Sequence, residues 1–154
     1  MLFRSIRYVI AHEPAYAANA VYLDPIDPGA KPPVPPKTPA ELAQLKAEGV
    51  QIFAPPMWAL LAVNSANEVV PSQYALDIRA AGLRIISWSF ERANLTKGAA
   101  GVGGYYSFDP TGAAIRKDSD MMKALDVLAH QVKVEGMFSD WPGTVTYYAN
   151  CMGL

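Results

Sequence analysis

The chain has 154 residues, 51% of them hydrophobic and 18% charged, the size and balance of one globular domain with enough apolar material for a core. Thirteen Lys and Arg against fourteen Asp and Glu leave a net charge of −1. The cations are scattered, so no basic field gathers nucleic acid or an anionic membrane surface.

The apolar runs are broken by Pro, Gly or charge before the ~20 residues that a membrane span needs. The opening MLFRSIRYVIAHEP carries Arg4 and Arg7 inside its apolar pattern and no small-residue cleavage site, so it does not read as a signal peptide. Cys151 is the single cysteine. It forms no internal disulfide or cysteine metal cluster, and is either an idle thiol or the partner of a segment N-terminal to this chain.

In chain order, an amphipathic stretch with Ile6, Val9 and Ile10 leads into a short strand at residues 20–23. Residues 25–39 hold seven of the thirteen prolines, too many for a helix or a central strand, and read as a stiff loop rather than a domain boundary. Thr38, Pro39 and Glu41 open the first helix as N-cap, first-turn proline and capping-box acid. Leu42, Ala43 and Leu45 supply its apolar face, Gly49 ends it, and a strand at 50–54 follows.

Ser72 caps a second helix with Tyr74, Ile78 and Ala81 at helical spacing, and Gly82 hands it to a strand at 83–88. A second long loop spans 92–117. Asp118, Ser119 or Asp120 starts the third helix, with Met121, Leu125, Leu128 and Val132 inward. A strand at 134–140 containing Gly136 comes next, ended by Pro142, which cannot donate to a ladder. A trailing helix closes the chain.

Strands joined through helices normally lie parallel with right-handed crossovers, so the class is α/β. Four such strands make half of a TIM-type (β/α)8 barrel, and residues 1–154 read as a single partial domain. The competing doubly wound sheet usually carries a glycine-rich loop after its first strand, where this chain has Asp24 and Pro25. Both long loops leave the carboxyl-end face, where barrel enzymes assemble their sites. The residues to inspect there are Asp24, Pro55, Pro56, Trp88, Glu91, Asp140 and Trp141.

RIISWSFE at 84–91 and EGMFSDWPGTV at 135–145 resemble the last two strands of the glycerophosphodiester phosphodiesterase family. IFAPPMWALL at 52–61 and PSQYALDIRAAGL at 71–83 resemble the segment before them in the larger bacterial members, and the likeness runs on through TVTYYANCMGL. It covers about residues 50–154 well and the first 49 loosely. The resemblance implies the C-terminal half of the barrel of an enzyme that hydrolyses glycerophosphodiesters to sn-glycerol 3-phosphate and an alcohol. That enzyme uses a divalent cation, Ca²⁺ or Mg²⁺, and in the larger members it is often exported, so the full-length protein is expected to be periplasmic or secreted.

The family's catalytic pattern is a His-Arg-Gly, a Glu-x-Asp pair, a further His and a later acidic ligand. These serve acid/base chemistry and an oxygen-rich metal site. None of these motifs is in the sequence: His12 lies in AHEPAY and His130 in LAHQV, both as surface or packing residues. The chain alone is expected to bind no metal and to be inactive.

What the resemblance leaves is the substrate wall. Trp88 packs against the glycerol or alcohol, or plugs the barrel. Glu91 stands where many members have Asn, and either bonds a glycerol hydroxyl or forms a loop salt bridge. Asp140 either supports the site or holds loop backbone. Gly98, Gly101, Gly103 and Gly104 permit phosphate contact or a mobile lid, and Tyr105 and Tyr106 close over substrate under either reading.

The alternative function is a non-catalytic half-barrel that binds or assembles with another chain. Open strand edges and apolar helix faces favour such association, including self-association. A different α/β hydrolase is disfavoured because no Gly-x-Ser-x-Gly is present.

Overall fold

A computed structural model describes residues 2–90 and 104–154 of the chain. α1 (Leu2–His12) is the expected amphipathic stretch, and Ile6 and Ile10 pack against the core. The single-turn α2 (Pro14–Ala17) precedes β1 (Val21–Leu23). The proline-rich loop after β1 folds back on itself through an antiparallel bridge between Asp27 and Val34.

α3 (Pro39–Ala47) opens on the predicted capping box: Thr38 Oγ1 accepts from the Glu41 N–H at 3.3 Å, and Glu41 Oε2 accepts from the Thr38 N–H at 2.8 Å. Leu42 and Leu45 are buried, but Ala43 is exposed, so the inward stripe is narrower than expected. Gly49, at φ +97°, turns the chain into β2 (Ile52–Ala54). A Cβ at Gly49 would lie 2.9 Å from Ile10 Cγ2, so the glycine also lets α1 close on α3.

The one-turn α4 (Met57–Leu60) then leads to a hairpin that the sequence reading does not contain, β3 (Leu61–Val63) and β4 (Val69–Pro71), paired antiparallel. Asn64 organises its turn: Oδ1 accepts from the N–H groups of Ala66 and Glu68, both at 2.9 Å, and Asn67 takes φ +59°.

α5 (Gln73–Ala80) is capped as expected by Ser72, whose Oγ accepts from the Ala75 N–H at 3.1 Å, and leads to β5 (Arg84–Ser87). Further on, the buried Asp109 gathers the N–H groups of Ala113, Ala114 and Ile115 on its two carboxylate oxygens. Asp120 accepts from Arg116 and Lys117. Burial raises its pKa, but the Lys123 ammonium and those backbone N–H groups prevail and hold it below the usual carboxylate range.

The third helix is α6 (Met121–Asp126), preceded by a 3₁₀ turn at Asp118–Asp120 and widening into a π turn at Val127–Val132. Met121, Leu125, Leu128 and Val132 are buried as expected. It ends at Lys133 with φ +61°, a left-handed stop made without glycine.

β6 (Gly136–Met137) is much shorter than the expected strand at 134–140. Pro142 does not end it; it is the first residue of α7 (Pro142–Met152), the trailing helix, where its missing N–H leaves no gap.

The four parallel strands lie in the order β1-β2-β5-β6, so each neighbours the next parallel strand in the chain. The register pairs Tyr22 with Phe53, Phe53 with Ile85, and Ser87 with Met137. Phe53, Ile78, Ile85 and Leu128 lie in one buried cluster between the sheet and its helices. Among the described residues, β1 and β6 are each paired on one side only.

Candidate functional site

The carboxyl ends of β1, β2 and β5 meet at one rim, and the Ala54 carbonyl is its knot. It accepts the Asp24 N–H at 2.9 Å and Trp88 Nε1 at 2.8 Å, which fixes the first residue after β1 and the indole after β5 against the end of β2. The Met57 N–H donates to the Trp88 carbonyl at 2.6 Å, starting α4 and so positioning Trp58. The peptide bond between Trp88 and Ser89 is cis.

These elements enclose a cleft of about 540 Å³ whose lining includes Leu23, Asp24, Asp27, Trp58, Trp88 and Ser107. Parts of both long loops therefore meet at the strand ends, where the sequence reading places them.

Asp24 is the unusual member. It is 1% exposed; Oδ2 accepts from the Tyr74 hydroxyl at 2.7 Å, and Oδ1 has no hydrogen-bond partner among the described residues. A carboxyl removed from water and half satisfied resists ionisation. Burial raises its pKa, against the opposing pull of the Tyr74 hydroxyl, Lys37 and the Ile26 N–H. Burial and the Asp24 charge push the Tyr74 phenol upward in turn. Burial, followed by Asp24, pushes Tyr22 up to about 12, with Arg7 opposing.

Of the expected wall residues, Trp88 lines the cleft. Tyr105 is exposed, and no cleft contact places it over a ligand. Tyr106 is fully buried, its ring centroid 6.1 Å from that of Phe108; it belongs to the core, which corrects its expected role as a cover. Asp140 lies exposed between β6 and α7, apart from the cleft lining. Glu91 and the glycines Gly98, Gly101 and Gly103 lie outside the described residues.

His12 stacks on Tyr8 at 4.3 Å between centroids, and its Nδ1–H donates to the Tyr8 carbonyl at 3.0 Å. His130 sits with Asp126 and Tyr148 beside a second groove of about 740 Å³ between β4 and α6, whose lining includes none of the carboxyl ends of the parallel strands. In that cluster the Tyr148 hydroxyl donates to Asp126 at 2.7 Å.

Sequence reasoning marked Asp24 as a strand-end position but gave it no role, and it missed Trp58 and Ser107. The signal for Trp58 was present: an aromatic three residues after Pro55 follows directly on a strand end.

The chain is 38% identical over 146 residues, 93% of its length, to a protein of Arthroderma benhamiae named "Extracellular protein". The match takes in 57% of that relative, so the chain spans a little over half the length of the curated protein it matches. No family model matches the chain, and no solved structure matches it.

Proposed function

We propose that this chain is the C-terminal, substrate-wall portion of a (β/α)8 barrel phosphodiesterase that hydrolyses glycerophosphodiesters to sn-glycerol 3-phosphate and an alcohol. The observation that carries the reading is the cleft at the carboxyl ends of the parallel strands, with Trp88 at its edge. The strand order supports the barrel. A doubly wound sheet reverses direction beside its first strand, whereas β1-β2-β5-β6 runs one way.

In this reading the remaining strands of the barrel fill the open edges of β1 and β6, and in their absence the edges promote self-association. The name of the Arthroderma benhamiae relative supports a secreted location for the full-length protein.

Among the described residues, no group of three or more His, Cys, Asp or Glu is arranged to hold a metal ion. The described residues therefore do not fit the family's divalent cation, and no step is derived through it; in the proposal its ligands and the catalytic histidines lie outside this chain. What this chain does is bind and orient. Trp88, held through Nε1, presents an immobile apolar face to the glycerol or alcohol, and the Asp24–Tyr74 pair gives the cleft a fixed polar floor.

The test is release of glycerol 3-phosphate from glycerophosphocholine with Ca²⁺ or Mg²⁺, by this chain and by a longer protein that includes the sequence upstream of Met1. Hydrolysis by the longer protein alone is expected. Activity in the 154-residue chain would overturn the assignment of its catalytic groups, and an inert longer protein would overturn the phosphodiesterase reading.

A further inference from the structure

We propose that residues 32–37 form a recognition ridge for a partner protein whose groove is lined by aromatic rings, the chemistry that takes a left-handed polyproline helix. The inference stands apart from the phosphodiesterase reading. Four of the six residues are proline, with φ locked at about −65°, and Pro32, Val34 and Pro35 each precede a proline, which holds their ψ extended. Thr38, just beyond, is extended in the same way at φ −69° and ψ 158°.

Burial follows the period of that helix, which turns once in three residues. Val34 and Lys37 are half-buried, while Pro32, Pro33, Pro35 and Pro36 are exposed. One edge therefore lies on the protein and two proline edges face water. The inward edge is fastened twice, one turn apart. Val34 exchanges both backbone hydrogen bonds with Asp27, at 2.9 and 3.0 Å, and the Lys37 N–H donates to the Tyr74 hydroxyl at 3.3 Å. The Lys37 ammonium lies 5.7 Å from the centroid of Tyr22. The ridge is ordered before a partner arrives, which lowers the entropy cost of docking.

The outward edges offer rings and carbonyls but no N–H, since every residue on them is proline. That rules out strand addition, pairing with a second copy included, because a ladder needs donors. A lipid surface would cover the carbonyls without donating to them. A groove of Tyr and Trp meets both needs: its rings form slots for the prolines, and its O–H and N–H groups donate to the carbonyls.

The probes are an isolated SH3 domain and an isolated WW domain, each titrated with the 154-residue chain, with decaproline as competitor. Saturable shifts of the groove aromatics of at least one domain are expected, reversed by decaproline. Val34 and Lys37 carry the two amide protons between Pro32 and Lys37, and both should shift in the chain's own spectrum. Pro32→Ala with Pro35→Ala, or Pro33→Ala with Pro36→Ala, should weaken binding about tenfold with an unchanged circular dichroism spectrum. Pro110→Ala, at an exposed proline elsewhere, should leave it unaltered.

No saturable shift with either domain overturns the proposal, as does binding that survives both paired variants. Binding that leaves the Val34 and Lys37 amides unmoved also overturns it, and that readout on the parent chain holds even if a paired variant does not fold.

Discussion

Replacing Tyr74 with Phe deletes one oxygen and keeps the ring that packs at 6.5 Å from Phe53, so it isolates the polar floor of the cleft. Asp24 Oδ2 loses its donor at 2.7 Å, and the Lys37 N–H loses an acceptor at 3.3 Å. Asp24 is then left without a side-chain donor on either oxygen, in a position 1% exposed to water. Taking its side-chain donor from a buried carboxyl costs about 2–3 kcal/mol. At about 2–4 °C per kcal/mol for a chain of this size, the Tm should fall by about 4–12 °C.

Urea and thermal unfolding followed by far-UV circular dichroism give both quantities. The same substitution in an Asp24→Asn background removes a bond to a neutral acceptor, worth about 1 kcal/mol, so the two losses should differ by about 1–2 kcal/mol. A Tyr74→Phe loss under about 0.5 kcal/mol, or equal losses in both backgrounds, would refute the coupled pair.

Three other perturbations follow from the same geometry. Because the folded-state pKa of Asp24 is raised, the stability linked to its proton is fully present below the ordinary carboxyl value of 3.8 and is lost as pH rises through the folded value. The advantage of Asp24→Asn over the parent should therefore grow from acid toward neutral pH; a pH-independent difference in urea midpoints contradicts the buried, strained carboxyl. Thr38→Ala removes the N-cap oxygen of α3 and should lower stability by about 1 kcal/mol, read by chemical denaturation. Gly49→Ala forces a side chain into φ +97° and against Ile10, for a loss of about 2 kcal/mol that should shrink in an Ile10→Ala background if the contact contributes.

The helices of the βα units were legible because their signals are local. Thr38 with Glu41, Ser72 with Ala75, and the glycines at positions 49 and 82 all act within one turn of chain. The hairpin was missed although Asn64 and Asn67 sit between two apolar runs, because a series of alternating helices and strands leaves no place for an antiparallel insertion. The stop at Lys133 could not be read, since packing holds a lysine in the conformation that glycine adopts freely. Tyr106 misled for a similar reason: a tyrosine beside glycines reads as a loop-tip aromatic, and only the tertiary fold buries it. The role of Asp24 was invisible because its partner Tyr74 lies 50 residues away.

The two ends of the sheet differ in a way that bears on where function sits. At the amino end, polar groups answer one another: Arg84 grips Glu135 across β5 and β6, Arg7 pairs with Glu48 at 2.8 Å, and Lys46 donates to Gln51 at 2.7 Å. The two ion pairs are solvent-exposed, each contributing about 0–1 kcal/mol, and they leave nothing unsatisfied to recruit a ligand. At the carboxyl end a carboxyl is buried beside two half-buried indoles, with one oxygen unpartnered among the described residues, an arrangement that stability alone would not select. If the cleft were merely structural, Asp24→Asn would be a pure gain at neutral pH; if it holds substrate, the same change should raise stability while weakening substrate binding by the longer protein. That opposition between stability and binding separates a functional cleft from an imperfect core in one variant.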